Sequence, residues 1–237
     1  MRLKIVNSPN FDKKTRSKKL IKYVIIHYTG MQSEIESIMR LKDKSFKVSC
    51  HYLINRKGLI TKMVPDTKIA WHAGKSKWKK INNLNKYSLG IELVNKGHKF
   101  GYEKYSELQI KSLIKLCTYL KKKYNFKNES FLGHSDIAPF RKLDPGEKFP
   151  WKRLSKLKIG FWYQKKIFEN LTKNEVDIRS TFFKNIYKIG YRYFNLRKKN
   201  KSDSLVIRAF QRRFLPDNIT GKIDLKTLKI SQFLANQ

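Results

Sequence analysis

The chain has 237 residues, 54 of them Lys or Arg against 18 Asp or Glu, which gives a formal net charge of +36. Hydrophobic residues make up 40% and aromatics 13%, enough for a core in one large domain or a main domain with a smaller one, and this excludes wholesale disorder. Of the basic residues 42 are Lys and 12 are Arg; a sequence-specific nucleic-acid reader relies on the planar Arg fork, so this balance argues against one. Residues 1–160 hold 37 basic and 12 acidic residues, and residues 161–237 hold 17 and 6. The charge therefore marks no separate basic tail. It is either a positive surface that attracts a polyanion or a compositional bias toward Lys, Ile and Asn.

Residues 1–20 are polar, with Ser8-Pro9-Asn10 marking a turn. No apolar stretch follows the N-terminal basic residues, so no secretory signal is read and the chain as encoded is expected in the cytoplasm. No apolar run approaches the ~18 residues of a membrane span. YVIIHYT (23–29) predicts a buried strand whose C-terminal end opens onto polar surroundings. Residues 33–43 predict a helix: Ser33 and Glu36 have capping-box spacing, and Ile35, Ile38 and Met39 share one face. HYLINRKGLITKMV (51–64) predicts a hairpin about Asn55-Arg56-Lys57-Gly58, and AWHAG (70–74) a short extended piece. SLGIELVN (88–95) predicts a strand with Glu92 opposite Ile91 and Leu93. Residues 106–124 predict a long amphipathic helix with lysines on its wet face. FLGHSDI (131–137) predicts a strand running into a Pro/Gly-rich loop at 138–150.

Interleaved strands and helices to about residue 155 predict an α/β domain with a mixed central sheet flanked by helices. Strand character is lost after residue 160. Residues 161–173 are read as a linker, and residues 174–237 as a small three-helix domain with helices at 174–189, 202–215 and 224–234. Cys50 and Cys117 sit in apolar segments without metal-site spacing and are read as buried free thiols.

Of the five histidines, His27 and His134 close predicted strands, and Asp144 lies ten residues past His134 in the stiffened loop. Two imidazoles and a carboxylate are the three-ligand set of a catalytic zinc site with an open fourth position. By spacing alone, a strand-end histidine is more often a hydrogen-bonded structural residue. His51 is expected to pack or hydrogen-bond within its hairpin, His98 to be an exposed loop residue, and Tyr28 to turn into the core.

In order, VIIHYTG (24–30), HYLINRKGLI (51–60), AWHAGKSKW (70–78), SLGIELVN (88–95) and GHSDIAPFRKLDPGEKFPW (133–151) resemble the zinc-dependent N-acetylmuramoyl-L-alanine amidases. These are the type 2 amidases related to peptidoglycan recognition proteins, here in their AmpD/AmiD-like branch. The resemblance covers roughly residues 20–155. It implies a Zn2+ site of His27, His134 and Asp144, with Glu92 as catalytic acid/base and Lys142 at the oxyanion. It also implies substrate-binding residues Trp71, His72, Trp78 and Arg141. The implied substrate is peptidoglycan or an anhydro-muropeptide; the alternative of the same fold is a protein that binds these without cutting them. LVIRAFQRRFLPDNITGKIDLKTL (205–228) resembles the small peptidoglycan-binding domain often joined to such amidases, against the alternative of an ordinary helical bundle. That second resemblance suits the cell envelope rather than the cytoplasm.

Overall fold

Short β-branched runs bounded by polar residues gain little alone and pair into sheets that bury both faces. The computed structural model describes residues 3–164, 167 and 177–237. In chain order its elements are β1 (Lys4–Ile5), β2 (Phe11–Asp12), β3 (Tyr23–Tyr28), α1 (Glu34–Lys42), β4 (Tyr52–Ile54), β5 (Ile60–Lys62), β6 (Ile69–Ala70), β7 (Lys77–Trp78), β8 (Ile81–Asn82), β9 (Ser88–Leu93), α2 (Glu107–Tyr124), β10 (Phe131–Gly133), α3 (His134–Ile137), α4 (Trp151–Lys156), α5 (Ile178–Ile189), α6 (Asp203–Phe214) and α7 (Leu225–Ala235). The main sheet has the order β1-β5-β4-β9-β3-β10. Only the β4–β5 hairpin is antiparallel within it; the other four pairings are parallel. This is the mixed sheet flanked by helices that the sequence predicts.

The two faces are covered by different parts of the chain. Val24, Ile26, Leu89 and Ile91 pack with Ile110, Leu113, Leu116 and Leu120 of α2. Ser106 caps that helix by accepting the Gln109 N–H at 3.1 Å, and three lysines occupy its last turn, where the helix dipole favours cations. On the opposite face Ile25 and Leu132 join Phe182, Ile186, Tyr191, Phe210 and Leu228 in one hydrophobic cluster. The three C-terminal helices thus share a core with the sheet. Cys50 and Cys117 are buried and unpaired. Among the described residues no helix is long and apolar enough to cross a membrane.

Several local readings change. The polar N-terminus contains two strands: β1 lies at a sheet edge with both residues exposed, so backbone pairing with β5 needs no apolar side chain. In α1 the buried positions are Ser37 and Leu41, while Ile35 and Met39 are 72% and 64% exposed. The helix docks through Leu41 and Ile38 on Cys50, Met63 and Val94, which turns the expected apolar face to solvent. The strand expected over 131–137 stops at Gly133, because Asp136 folds back to accept the Gly133 N–H at 2.7 Å and closes a helical turn. Residues 151–156, read as the end of the domain, form a short helix. The first C-terminal helix begins at Ile178, capped by Asp177. Residues 174–176 of its expected span, and 165, 166 and 168–173 of the expected linker, lie outside the described residues.

Asp136 ties the two halves together. It is 1% exposed, and it accepts from the Tyr191 hydroxyl at 2.6 Å and from the Arg213 guanidinium, which is 2% exposed. Arg213 also donates to Phe131 O at 3.1 Å and lies over the Trp151 ring. Removing one member of a buried, hydrogen-bonded ion pair strands the other charge. Arg213→Ala is expected to lower unfolding free energy by about 3–5 kcal/mol in denaturant titration, with Asp136→Leu/Arg213→Met recovering much of the loss.

Candidate metal centre and substrate cleft

The site is built at the carboxyl edge of the parallel strands, where open α/β sheets collect ligands. Gly133 of β10 pairs with Ile26 of β3, so His134 and His27 follow side by side. Glu92 of β9 pairs directly with His27 and points to the same face of the sheet. Asp144 arrives from the 138–150 loop, held because its carbonyl accepts the Ser135 N–H at 2.8 Å. The Tyr102 and Tyr105 hydroxyls both donate to the next carbonyl, Pro145 O, at 2.7 Å.

His27 Nδ1, His134 Nδ1 and Asp144 Oδ2 converge. The two nitrogens are 2.9 Å apart, and each is 3.0 Å from the carboxylate oxygen. All three residues are buried, and they form a group able to hold a metal ion. The outer hydrogen bonds decide the tautomers. His134 Nε2 faces Ala73 O at 3.1 Å; a carbonyl only accepts, so Nε2 carries the proton. Ser88 donates to Leu84 O at 2.7 Å and therefore accepts from His72 Nε2 at 3.3 Å. His72 Nδ1 is then bare and accepts from His27 Nε2 at 3.0 Å. With Nε2 as the protonated nitrogen of each ring, both Nδ1 atoms turn toward the carboxylate, and the three contacts become acceptor against acceptor. A cation at their centre resolves that conflict, and an N/N/O donor set with neutral imidazoles is apt for a borderline divalent metal.

A cleft of about 690 Å³ opens over this cluster, with Glu92, Lys142 and Arg141 in its lining. Glu92 is 8% exposed, and its Oε2 has no hydrogen-bond partner.

Residues 16–147 match the profile of the family described as N-acetylmuramoyl-L-alanine amidase. The chain is 33% identical over 229 residues to the N-acetylmuramoyl-L-alanine amidase AmiD of Escherichia coli strain K12, covering 90% of this chain and 82% of that protein. The chain belongs to the N-acetylmuramoyl-L-alanine amidase family. It is also 32% identical over 166 residues to the 1,6-anhydro-N-acetylmuramyl-L-alanine amidase AmpD of Haemophilus influenzae, covering 62% of this chain and 88% of that one. Its fold matches E. coli AmiD in complex with anhydro-N-acetylmuramic acid-L-Ala-D-gamma-Glu-L-Lys with a TM-score of 0.81 at 31% identity, over 95% of this chain and 91% of that chain. It matches AmpDh3 of Pseudomonas aeruginosa in complex with anhydromuramic pentapeptide with a TM-score of 0.82 at 28% identity, over 98% and 97%.

Within this amidase fold the electrostatics follow from burial. His27 is lowered to about 4, first by burial and then by His134, so its ring is neutral near pH 7. Glu92 is raised to about 8, first by burial and then by Asp144, with Lys142 opposing.

The four residues expected along the groove take different places in the structure. Trp78 is 1% exposed and packs edge-on against Tyr191, so it belongs to the core and offers no sugar platform. Trp71 is half-buried, donates from Nε1 to Asp12 Oδ1 at 2.6 Å, and lies outside the cleft lining. Both belong to a motif whose spacing does not reveal which face each ring takes. His72 lines the cleft from below with both nitrogens committed to His27 and Ser88; a Cβ on Gly90 would come within 2.4 Å of its ring, so β9 must be bare there. Arg141 lines the cleft while donating to Ala73 O and Lys75 O, which fastens the loop. Among the further lining residues, Tyr28, expected in the core, instead lines the cleft, and His98, an exposed turn residue as expected, lines it too. The glycines flanking them at 30 and 97 were the available signal.

His51 lies beneath, as a structural residue: its Nδ1 accepts the Gly90 N–H at 3.0 Å and Arg16 sits 2.9 Å from Nε2. Burial first, and Arg16 second, lower it from 6.5 to about 3. A depressed histidine contributes stability above its unfolded value that is lost as pH falls. The stability of the metal-free protein should therefore fall as pH is lowered from 6.5 to about 3, with His51 contributing up to about 1.4 kcal/mol per pH unit; His51→Gln should flatten that slope relative to wild type. For the metal centre, His72→Ala removes the acceptor that fixes the His27 tautomer. Its metal affinity, measured by competition with a chromogenic chelator, is expected to fall about 10–100-fold.

Proposed function

We propose that this chain is a zinc hydrolase that cuts the amide between N-acetylmuramic acid, or its 1,6-anhydro form, and the L-alanine of a stem peptide. The proposed zinc ligands are His27 Nδ1, His134 Nδ1 and Asp144 Oδ2. Bound there, zinc would polarise the scissile carbonyl and acidify a water. Glu92 takes a proton from the attacking water and returns it to the leaving alanine nitrogen. Lys142, in the same lining, brings an ammonium to the negative charge that develops on the carbonyl oxygen. Arg141 and His72 hold the walls and the first ligand in place.

One observation carries this reading. Glu92 is a buried carboxyl with an unpartnered oxygen in the lining of the cleft over the ligand cluster. Such a group is costly to keep for structure alone, and its raised proton affinity suits it to receive a proton. The substrates named in the AmiD and AmpDh3 complexes support the muropeptide class. We further propose, from the sequence motif at 205–228, that the C-terminal helices bind polymeric peptidoglycan and raise the local concentration of bonds to be cut.

The test combines two substrates and three variants. Soluble anhydro-muropeptide and intact sacculi are digested in parallel, and released stem peptide is identified by mass. Chelation should stop release and zinc should restore it. Glu92→Gln is expected to lower kcat by about 10²–10⁴-fold while zinc stays stoichiometric, and Lys142→Ala by about 10²–10³-fold. His134→Ala should lose zinc and activity together. Binding without peptide release by the zinc-loaded wild type would establish the non-catalytic alternative. Preference for sacculi would place the enzyme in the envelope, and preference for the soluble form would favour the cytoplasm.

A further inference from the structure

Beside the ligand cluster, the cleft carries a second ordered set of side chains. The Tyr28 hydroxyl lies 2.9 Å from His98 Nδ1, and His98 Nε2 lies 3.1 Å from Glu147 Oε2. The His98 ring stacks on Tyr102, with centroids 4.5 Å apart and an interplanar angle of 22°. Glu147 reaches on to Arg212 of α6, at 3.8 Å. Tyr28 is itself clamped. Gly97 has φ +67°, and a Cβ there would come within 2.6 Å of the Tyr28 ring. The phenol can therefore adopt this position only because residue 97 is bare.

This pair does little for stability as a charge pair, since both side chains are over a quarter exposed. Its effect is on direction. A carboxylate only accepts, so His98 Nε2 carries a proton toward Glu147. With Nε2 as the donor of this ring, Nδ1 is the acceptor and takes a hydrogen bond from the Tyr28 hydroxyl at 2.9 Å. With its single proton committed, the phenol oxygen can offer the cleft only a lone pair.

We propose that Tyr28 is a substrate-binding residue, aimed by the positioning pair His98 and Glu147, and that its oxygen accepts a hydrogen bond from an amide N–H of the substrate. Such N–H groups recur along both the acetamido sugar and the stem peptide. The proposal rests on the muropeptide reading and adds a recognition element outside the ligands, Glu92 and Lys142.

The experiment measures KM and kcat on soluble anhydro-muropeptide for the zinc-loaded wild type, Tyr28→Phe, His98→Ala and His98→Gln. Calorimetric affinity for the same compound is measured in a Glu92→Gln background. Tyr28→Phe keeps the ring and loses the acceptor; it should raise KM and weaken binding about five- to tenfold, with the loss in KM rather than kcat. His98→Ala should do the same. His98→Gln should recover most of the loss, because its carbonyl can accept from the phenol while its amide donates to Glu147. Unchanged affinity in Tyr28→Phe, or a glutamine variant no better than alanine, would overturn the assignment. Failure of wild type to release peptide would instead remove the hydrolase reading, and the calorimetric comparison would still decide the role of Tyr28.

Discussion

Three electron-rich atoms held within 3.0 Å of one another, away from water, are the constraint around which the rest is arranged. In isolation the rings would rotate or take up protons to relieve it. Rotation is not open to them here. His134 is fixed from behind by Ala73 O, His27 by His72, and His72 in turn by Ser88 and the bare backbone at Gly90. Burial keeps the His27 ring neutral, so protonation is no escape. The fold therefore spends conformational freedom over several segments to preserve a centre that is favourable only around a cation.

The same low-polarity surroundings account for Glu92. A carboxyl on β9 without a partner for Oε2 would be a defect in a structural strand. Next to a cation site it becomes a group whose proton affinity responds to what occupies the cleft. The net charge of +36 plays a lesser part. Lysine is spread along the whole chain, whereas the residues that define the site are mostly histidine, carboxylate and tyrosine. A positive exterior can draw in a stem peptide with free carboxylates, whereas the recognition proposed for Tyr28 works through a directed lone pair inside the cleft.

What was legible in the sequence follows from periodicity and local motif. The strand at 23–28, the hairpin about Gly58, the capped helix at 107–124 and the histidine-bearing strand ends all show as short-range patterns, because each depends on neighbours in the chain. What was missed depends on partners far away. Trp78 is buried in part by Gly190 and Tyr191, over a hundred residues later in the chain. Tyr28 reaches the cleft because Gly97 leaves room, and no alternation rule at the end of a strand contains that information. The exposed side of α1 was misread because its apolar stripe is wider than the surface it docks on, and Leu41 and Ile38 win that contest over Ile35 and Met39. The N-terminal strand β1 escaped detection because an edge strand is selected by backbone pairing.

Composition divides the chain near residue 160, and physical contacts cross that division at the place where the chemistry is built. Consecutive arginines on α6 reach both ligand-bearing segments: Arg213 meets Asp136, two residues past His134, and Arg212 approaches Glu147, three residues past Asp144. Around them Ile25 and Leu132, on the strands that precede the two histidines, are covered by aromatic side chains of the C-terminal helices. Loss of those helices would uncover apolar strand surface and leave Asp136 without its cation, so the strand ends would lose both packing and charge balance. The helical region thus has a role that needs no ligand of its own. It closes the back of the sheet and, through one turn of α6, pairs with the segment from which His134 projects and lies beside the one that carries Asp144.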